Sequence, residues 1–353
     1  MSSRNRTPGS EKRPRIQDVA KLARVSLATA SHALNGKGRV SEKTQQRIVA
    51  AAEKLAYRAN PSAVSLRTGQ SKLLGIQLGR LGRKGFLIPA AAYFGEILNG
   101  VSTEAFRRGW TPVFLPRDVA FGDIKSLNLG CGVIVDPQGD ESLLRVLIAT
   151  RRPVLTTGRV INLDHRADVL SIDNDAVAVT KSALGHLELM GYRHPALIVS
   201  RSTASYVVDA AATAVEWGKE RKLSIPIVKV QQATSSGAEQ ALLTLLKHDD
   251  GTDSVYAIEE SGALGALRAA RVLGLDVPAE LGIVCGLDGP ALREAWPPIT
   301  GIDLKPELVG RRAARQVIEY AEASVRRATK TVVPFSIQER RSTDRRAPVL
   351  SRQ

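Results

Sequence analysis

Leu27, Ala28, Ser31, His32 and Asn35 fall on one arc of a helix at roughly 100° per residue, while Ala30, Ala33 and Leu34 form the opposite face. The imidazole of His32 can donate or accept a hydrogen bond. Leu27 and Ala28 offer apolar contact, of the kind a thymine methyl takes. Such a set does useful chemistry only if a helix carries it into a groove. The preceding residues provide for that. Ile16, Val19, Ala20 and Ala23 recur at i, i+3, i+4 and i+7, the face of a first helix. A break follows at Arg24-Val25. Ser26 then stands where an N-cap hydroxyl accepts from a free backbone N–H. The second helix stops at Asn35-Gly36. Two short helices, a tight turn and small residues at the crossing make a helix-turn-helix, whose second helix fits the major groove. An ordinary αα-hairpin shares the pattern, so charge has to discriminate.

Residues 1–70 hold 14 Lys+Arg against 4 Asp+Glu, and so carry +10 of the chain's formal +15. A basic excess concentrated on the helix-turn-helix is the footprint of a phosphate-binding surface, because Lys and Arg displace counterions from the duplex. Lys37, Arg39, Lys43 and Arg47 crowd the exit of the second helix, which a basic tail on an unrelated protein would not explain.

The run IQDVAKLARVSLATASHALNGKGRVSEKTQQRIVAAAEKLAYRANPSAVSLRTGQSKLLGI resembles, almost without gaps, the N-terminal domain of LacI/GalR-type transcriptional regulators. GLDVPAELGIVCGLDG, PPITGIDL, ELVGRRAA and QERRST resemble that family's closing segments. The resemblance spans roughly residues 15–343; it is specific at the N-terminus and loose over 80–130 and 200–250.

At 353 residues the chain exceeds one average domain and can bury a large core. No stretch approaches 18 apolar residues, so no membrane span is expected. Residues 1–14 are polar and basic without an apolar centre, which reads as a disordered arm and not as a secretory signal, hence a cytoplasmic protein. Cys131 and Cys285 lie in apolar strand-like runs (CGVIV, GIVCGL), as buried thiols of a reducing compartment would.

Enzyme chemistry finds no purchase. The five His include His165, His186, His194 and His248, and these form no HxxxH or HxH pair for a metal. No GxSxG elbow or GxxxxGK[ST] loop occurs, and no cofactor is expected.

The helix-turn-helix domain spans 15–59. Its third helix, Ser41 to Tyr57, has Ser41 as cap, Glu42 at the positive end of the dipole, and Ile48, Ala52 and Leu55 facing the core. Asn60-Pro61 breaks it. Residues 60–70 follow, and their segment Ser62–Arg67 is too short for a stable isolated helix. The resemblance implies that they form a hinge, which becomes helical when two chains pair on DNA. It also puts Asn60 among the DNA contacts and Leu66 where an apolar wedge enters the minor groove; the unstacking costs a few kcal/mol, offset by contacts the kink permits. Ala59 and Val64 replace the family's usual Pro and Arg.

Residues 71–343 alternate strand-like and helical periods, the mark of doubly wound parallel sheets. Strands are predicted at Leu73–Leu78, Gly132–Val135, Val154–Thr157, Leu170–Ile172, Ala196–Val199, Ile227–Val230, Val255–Ile258 and Ile283–Cys285. Helices are predicted at Phe94–Arg108, Leu143–Thr150, Ala176–Met190, Tyr206–Arg221, Ala238–Leu246, Gly262–Gly274 and Leu308–Arg326. The expected fold class is therefore α/β: an all-α helix-turn-helix domain and hinge, then a doubly wound core. The resemblance adds that this core has two lobes interleaved in sequence around a ligand cleft, as in periplasmic binding proteins. Residues 344–353 are a tail with a Pro and no leucine heptads, which points to a homodimer and not a tetramer.

Ligands of such sheets bind at strand C-termini. Asp288, in GLDG, matches the family's effector-contacting Asp. Asp173-Asn174 match a strand-end pair that either is structural or faces the cleft. Glu259-Glu260 replace an Asn-Asp. Tyr93 and Phe94 fall near an aromatic pair whose rings stack on a sugar or fill core, and core suits Phe94. The family's effector-clamping Arg is missing: there is no Arg between Ser202 and Glu220, where Tyr206-Val207-Val208-Asp209 stands. Gln232 replaces a usual aromatic, and Gly79–Ile88 lacks the family's Asp and Asn-Pro. Carboxylates without a guanidinium favour a neutral or cationic effector, such as a sugar or another metabolite, if the cleft still senses one.

The sequence thus points to a DNA-binding regulator, and most directly to a repressor that occupies a palindromic double-stranded operator as a homodimer. His32, Leu27 and Ala28 would read bases; Thr29, Ser31, Asn35 and the backbone N–H of Val40 would meet phosphates. Two alternatives remain open at this stage: a solute-binding sensor, and an α/β enzyme with an accessory DNA-binding domain.

Overall fold

Small side chains decide the first unit. In the computed structural model, which describes residues 14–34, 40–57, 71–79, 91–117, 119–161, 168–231, 234–248, 251–323 and 330–345, helix α1 spans Ile16–Leu22, α2 Leu27–Leu34 and α3 Glu42–Lys54. The hinge, Asn35, Asn60, Leu66 and Gln232 lie outside the described residues, as does most of Gly79–Ile88. Val19, Ala20 and Ala23 of α1, Ala30 and Ala33 of α2, and Ile48, Ala51 and Ala52 of α3 form one buried cluster. Alanines at the crossings let the backbones approach closely, and the core is correspondingly thin. Asp18 fixes the start of α1 by accepting from the Arg15 backbone N–H at 2.7 Å. The chain then turns through Arg24 at φ 51, and Ser26 Oγ accepts from the Thr29 backbone N–H at 3.0 Å, as its cap position predicts.

Two local expectations need correction. Ser41 does not cap α3 through its side chain; its hydroxyl donates to Thr44 Oγ1 at 2.9 Å, a side-chain partner within equal reach. Helix α3 ends at Lys54 and not at Tyr57, because Ala56 takes a left-handed φ of 48 and turns the chain.

The chain divides between Ser71 and Lys72 into two units. In the second, β1 (Leu73–Leu78), β2 (Thr111–Leu115), β3 (Cys131–Val135), β4 (Val154–Thr157), β5 (Val169–Asp173) and β11 (Lys330–Val332) make one sheet, ordered β11-β5-β4-β3-β1-β2. A second sheet, ordered β12-β10-β9-β8-β6-β7, joins β6 (Pro195–Ser200), β7 (Ile227–Val230), β8 (Ser254–Ala257), β9 (Gly282–Cys285), β10 (Thr300–Asp303) and β12 (Ser336–Gln338). All pairings are parallel except β10 with β12. β3, β6, β8 and β9 are buried along their whole length, as strands covered on both faces must be. The two-lobed α/β core expected from sequence is therefore the one observed.

Helices complete each lobe: α4 (Ala91–Arg107), α5 (Phe121–Ser126), α6 (Ser142–Ala149) and α12 (Pro306–Glu322) with the first sheet, and α7 (Ala176–Leu189), α8 (Ser205–Glu220), α9 (Ser235–His248), α10 (Glu260–Leu273) and the short α11 (Pro290–Arg293) with the second. No helix of the described residues is long and apolar enough to cross a membrane. Helices α4 and α12 come from distant parts of the sequence and cross at Gly100 and Gly310. A Cβ on either would strike the other helix's backbone, at Glu307 O or Ile97 O. Beside this crossing the buried Glu104 receives hydrogen bonds from Arg107, Arg108 and Arg315, which hold its carboxyl well below the usual range against the opposing effect of burial.

The chain passes between the lobes three times, after β5, after β10 and after β11. Asn174, 3% exposed, sits in the first crossing. Its Nδ2 donates to Leu304 O and to Val333 O, both at 3.0 Å. One amide thus links all three crossings.

A candidate nucleic-acid interface and an interlobe cleft

The helical unit presents its chemistry on α2. Leu27 is 47% exposed, Ala28 and His32 are exposed, and Thr29 and Val40 are half-buried. Thr29 Oγ1 shares a hydrogen bond with Ser26 Oγ at 2.8 Å, so its hydroxyl is held in place. Ser31 departs from the expected arc: it is 5% exposed. It lies only about 60° beyond Leu34 on the wheel, at the flank of the core face, and its small side chain falls inside the packed perimeter. Arg47 also differs from expectation. Its Nε donates to Ala23 O at 2.9 Å, tying α3 to the end of α1.

In the core, the C-terminal ends of both sheets face each other across a cavity of ≈ 70 Å³. Thr157, Gly158, Asp136 and Asp173 contribute from the first lobe's strand ends, with Tyr93 and Phe94 from α4; the second lobe adds Ser205, Tyr206 and Glu259. Tyr93 packs against the cores of both lobes and meets Phe94 edge-on, with ring centroids 5.4 Å apart. Burial, reinforced by the charges of Asp173 and Asp136, pushes its phenol well above the ordinary value.

Each polar group has a local cause. Asp136 directly follows β3 at φ 52, and its backbone N–H donates to Thr157 Oγ1 at 3.0 Å. The next turn is built by Glu141, a buried carboxylate that accepts from the backbone N–H of Gln138 at 2.5 Å and of Gly139 at 3.0 Å. Asp173 ends β5 and accepts from the Asn174 backbone N–H at 2.8 Å. Burial, with Asp136 and Asp209 nearby, pushes its carboxyl up to about 7, although the Asn174 hydrogen bond and Lys330 oppose the shift. Glu259 follows β8 and accepts from Ser200 Oγ at 2.6 Å. Gly158 stands at φ 89, where a side chain would be strained and would crowd Ser205 Oγ from 3.1 Å.

The lobes also touch directly at the cleft rim. Gln138 Oε1 accepts from Ser202 Oγ and Thr203 N at 3.2 Å, and from Thr203 Oγ1 at 3.0 Å. The Arg159 backbone N–H donates to Ser205 Oγ at 3.2 Å, and its guanidinium pairs with Asp209.

Of the residues singled out from sequence, Tyr93, Phe94, Asp173 and Glu259 come together on this wall. Asp288 and Glu260 are not among its lining residues. The Asp288 carboxylate is instead held by Arg340 at 3.0 Å and Arg293 at 2.8 Å. Burial alone would raise its pKa, but these two guanidiniums bring it below the usual value. Glu260 is raised by burial and then by Asp288. Sequence reasoning missed Asp136, Thr157 and Ser205. The available signal was position, since Asp136 directly follows the apolar run CGVIV.

A helix-turn-helix unit joined to a two-lobed, ligand-type α/β core defines a class of transcriptional regulators. The family model of bacterial regulatory proteins, lacI family, matches residues 15–60, and that of the periplasmic binding protein-like domain matches residues 184–343. The chain is 31% identical over 278 residues to the maltose regulon regulatory protein MalI of Escherichia coli (strain K12), covering 73% of this chain and 77% of that one. The fold is similar to that of the lac repressor dimer bound to operator and the anti-inducer ONPF, with TM-score 0.78 and 21% identity over 94% of this chain and 99% of that one. It is also similar to the transcriptional regulator CelR in complex with cellobiose, with TM-score 0.70 and 22% identity over 94% and 100%. The chain belongs to the LacI family and is a DNA-binding transcriptional regulator.

Proposed function

We propose that this regulator is a cytoplasmic repressor that binds a near-palindromic operator as a homodimer and is controlled by a small molecule in the interlobe cleft. The observation that carries the reading is the exposed arc of α2. Leu27, Ala28 and His32 all reach solvent from a helix braced by a small-residue core, in the part of the chain with most of its net positive charge. Two-fold proteins meet two-fold sites, so half-sites one helical turn apart are expected. His32, Leu27 and Ala28 read base edges; Thr29, Asn35 and the Val40 backbone N–H position the helix on phosphates. Ser31 joins them only if its hydroxyl comes out of the packed surface. Asn60 and Leu66 serve at the hinge, Leu66 as a minor-groove wedge.

Support for the effector comes from the cavity and from the relative crystallised with cellobiose. The test is selection of bound duplexes from a random pool, followed by gel shifts. Enrichment of an inverted repeat, bound as a dimer, is expected. Enrichment of no sequence would overturn the proposal.

A further inference from the structure

We infer that the two lobes are latched together by their own side chains at the cleft rim, so that the cleft is closed, and operator affinity set, before any ligand arrives. This rests on the reading of the chain as an operator-binding regulator and specifies the resting state of its cleft.

Ligand contacts are not what holds the lobes at this spacing. The cavity between them measures ≈ 70 Å³, less than half of the about 150 Å³ that accepts a benzene in a protein interior. Protein contacts do the holding instead, at two places on the rim. Gln138, after β3, meets Ser202 and Thr203, after β6. Arg159, after β4, meets Ser205 and Asp209 of α8. The segment Tyr206-Val207-Val208-Asp209 carries no guanidinium of its own. It sends a carboxylate to the guanidinium of the opposite lobe, and so ties lobe to lobe.

Both halves of the latch are braced before they meet. Glu141 fixes the turn at Gln138 and Gly139. Gln138 Nε2 donates to Asp136 O at 3.2 Å and to Pro137 O at 3.3 Å, which leaves Oε1 to the other lobe. Across the rim, Ser202 Oγ accepts from the Ala204 backbone N–H at 3.1 Å, and Ser205 is 3% exposed. Gly158, at φ 89, lets the Arg159 backbone N–H come onto Ser205 Oγ, because a Cβ there would crowd that oxygen. Groups held in place in this way lose little freedom on pairing. The Arg159 side chain is 52% exposed, so its ion pair alone would be weak. Four hydrogen bonds across the same rim break in the same opening and act with it.

The test is amide hydrogen exchange on the full-length protein without ligand. The Thr203 and Arg159 backbone N–H groups each donate across the rim, so both should be protected, and their exchange reports opening. Arg159→Asp sets a carboxylate against Asp209. It should speed exchange at Thr203, whose own acceptor it leaves in place, about fivefold or more, and Gln138→Ala should do the same at Arg159. The swap Arg159→Asp with Asp209→Arg should restore the protection of Thr203. Operator affinity, measured by gel shift without ligand, should move by a similar factor in Arg159→Asp and return in the swap. The latch is overturned by unprotected Thr203 and Arg159 amides in the parent, by a Thr203 rate indifferent to Arg159→Asp, or by no recovery in the swap. It is overturned equally by an operator affinity that stays fixed while exchange changes. The exchange measurements need no operator, so a failed latch is told apart from a failed regulator reading, which would show as an absence of sequence-specific shifts in the parent.

Discussion

Asn174 donates from its side-chain amide to the backbone oxygen of Leu304 at 3.0 Å, joining two passages of chain that lie 130 residues apart. The same nitrogen donates to Val333 O in the third passage. A hinge between lobes must bend without coming apart, and one amide bonded to two carbonyls allows rotation while fixing the spacing. Truncation would leave both oxygens without this donor in a site closed to water.

Asn174→Ala is accordingly expected to destabilise the core by about 1–3 kcal/mol, the usual cost of stranding buried polar groups. Urea unfolding of the full-length protein measures this. A loss within experimental error of zero would show that the crossings hold together without the amide.

His32→Ala should weaken operator binding by about 1–3 kcal/mol and relax discrimination at one base position, because the imidazole is the hydrogen-bonding group on the exposed arc. Gel shifts against every single-base operator variant give the result. Uniform weakening across all variants would assign His32 to the phosphates.

Gln138→Ala removes the acceptor of three interlobe hydrogen bonds, and Arg159→Ala removes the ion pair with Asp209. Arg159 is half exposed, so its pair should contribute no more than about 1 kcal/mol. The double variant should sample a more open cleft, seen as a larger radius of gyration in small-angle scattering without ligand. An unchanged scattering curve would mean that the rim contacts do not set closure.

Asp173 gives stability a pH dependence of known sign. Its folded-state value near 7 lies above the ordinary carboxylate value, so the folded protein holds a proton that the unfolded chain releases. The resulting stabilisation is complete at acidic pH and is lost as pH rises through about 7. The groups acting on it are Asp136, Asp209, Lys330 and the Asn174 amide. Asp173→Asn should therefore melt higher than the parent at pH 8, with the gap closing toward pH 4. A gap that grows on acidification would reverse the sign.

Asp288 behaves oppositely. Its carboxylate is favoured by Arg340 and Arg293, so its contribution is present above the ordinary carboxylate range and lost as pH falls below it. Asp288→Asn should lower the melting temperature at pH 7 while leaving affinity for any cleft ligand unchanged. Loss of ligand binding at full stability would return Asp288 to the cleft wall.

The sequence revealed the helix-turn-helix and the strands whose apolar runs are buried on both faces, such as β3 and β6. It hid β2, an edge strand in which Phe114 is half exposed, and the three-residue strands β11 and β12, too short to show a period. The cleft was half legible. Asp173 and Tyr93 stood out by resemblance; Asp136 was marked only by its place after the run CGVIV, and its nearness to Asp173 emerges once β3 and β5 are known to be separated in their sheet by β4 alone. Asp288 looked like a ligand contact because nothing local announces Arg340, 52 residues away. Ser31 shows the remaining limit: a helical wheel gives direction but not how far a neighbour's packing extends.

The interleaving of the lobes orders events during synthesis. Residues 14–57 make their contacts locally, and such a unit can fold as it leaves the ribosome. The first lobe begins at Leu73 yet needs α12 and β11, more than 230 residues later, to cover α4 and complete its sheet. A nascent chain therefore carries a finished DNA-reading head for most of its elongation before either lobe can close. Premature termination before α12 would release that head without a completed core to pair or regulate it.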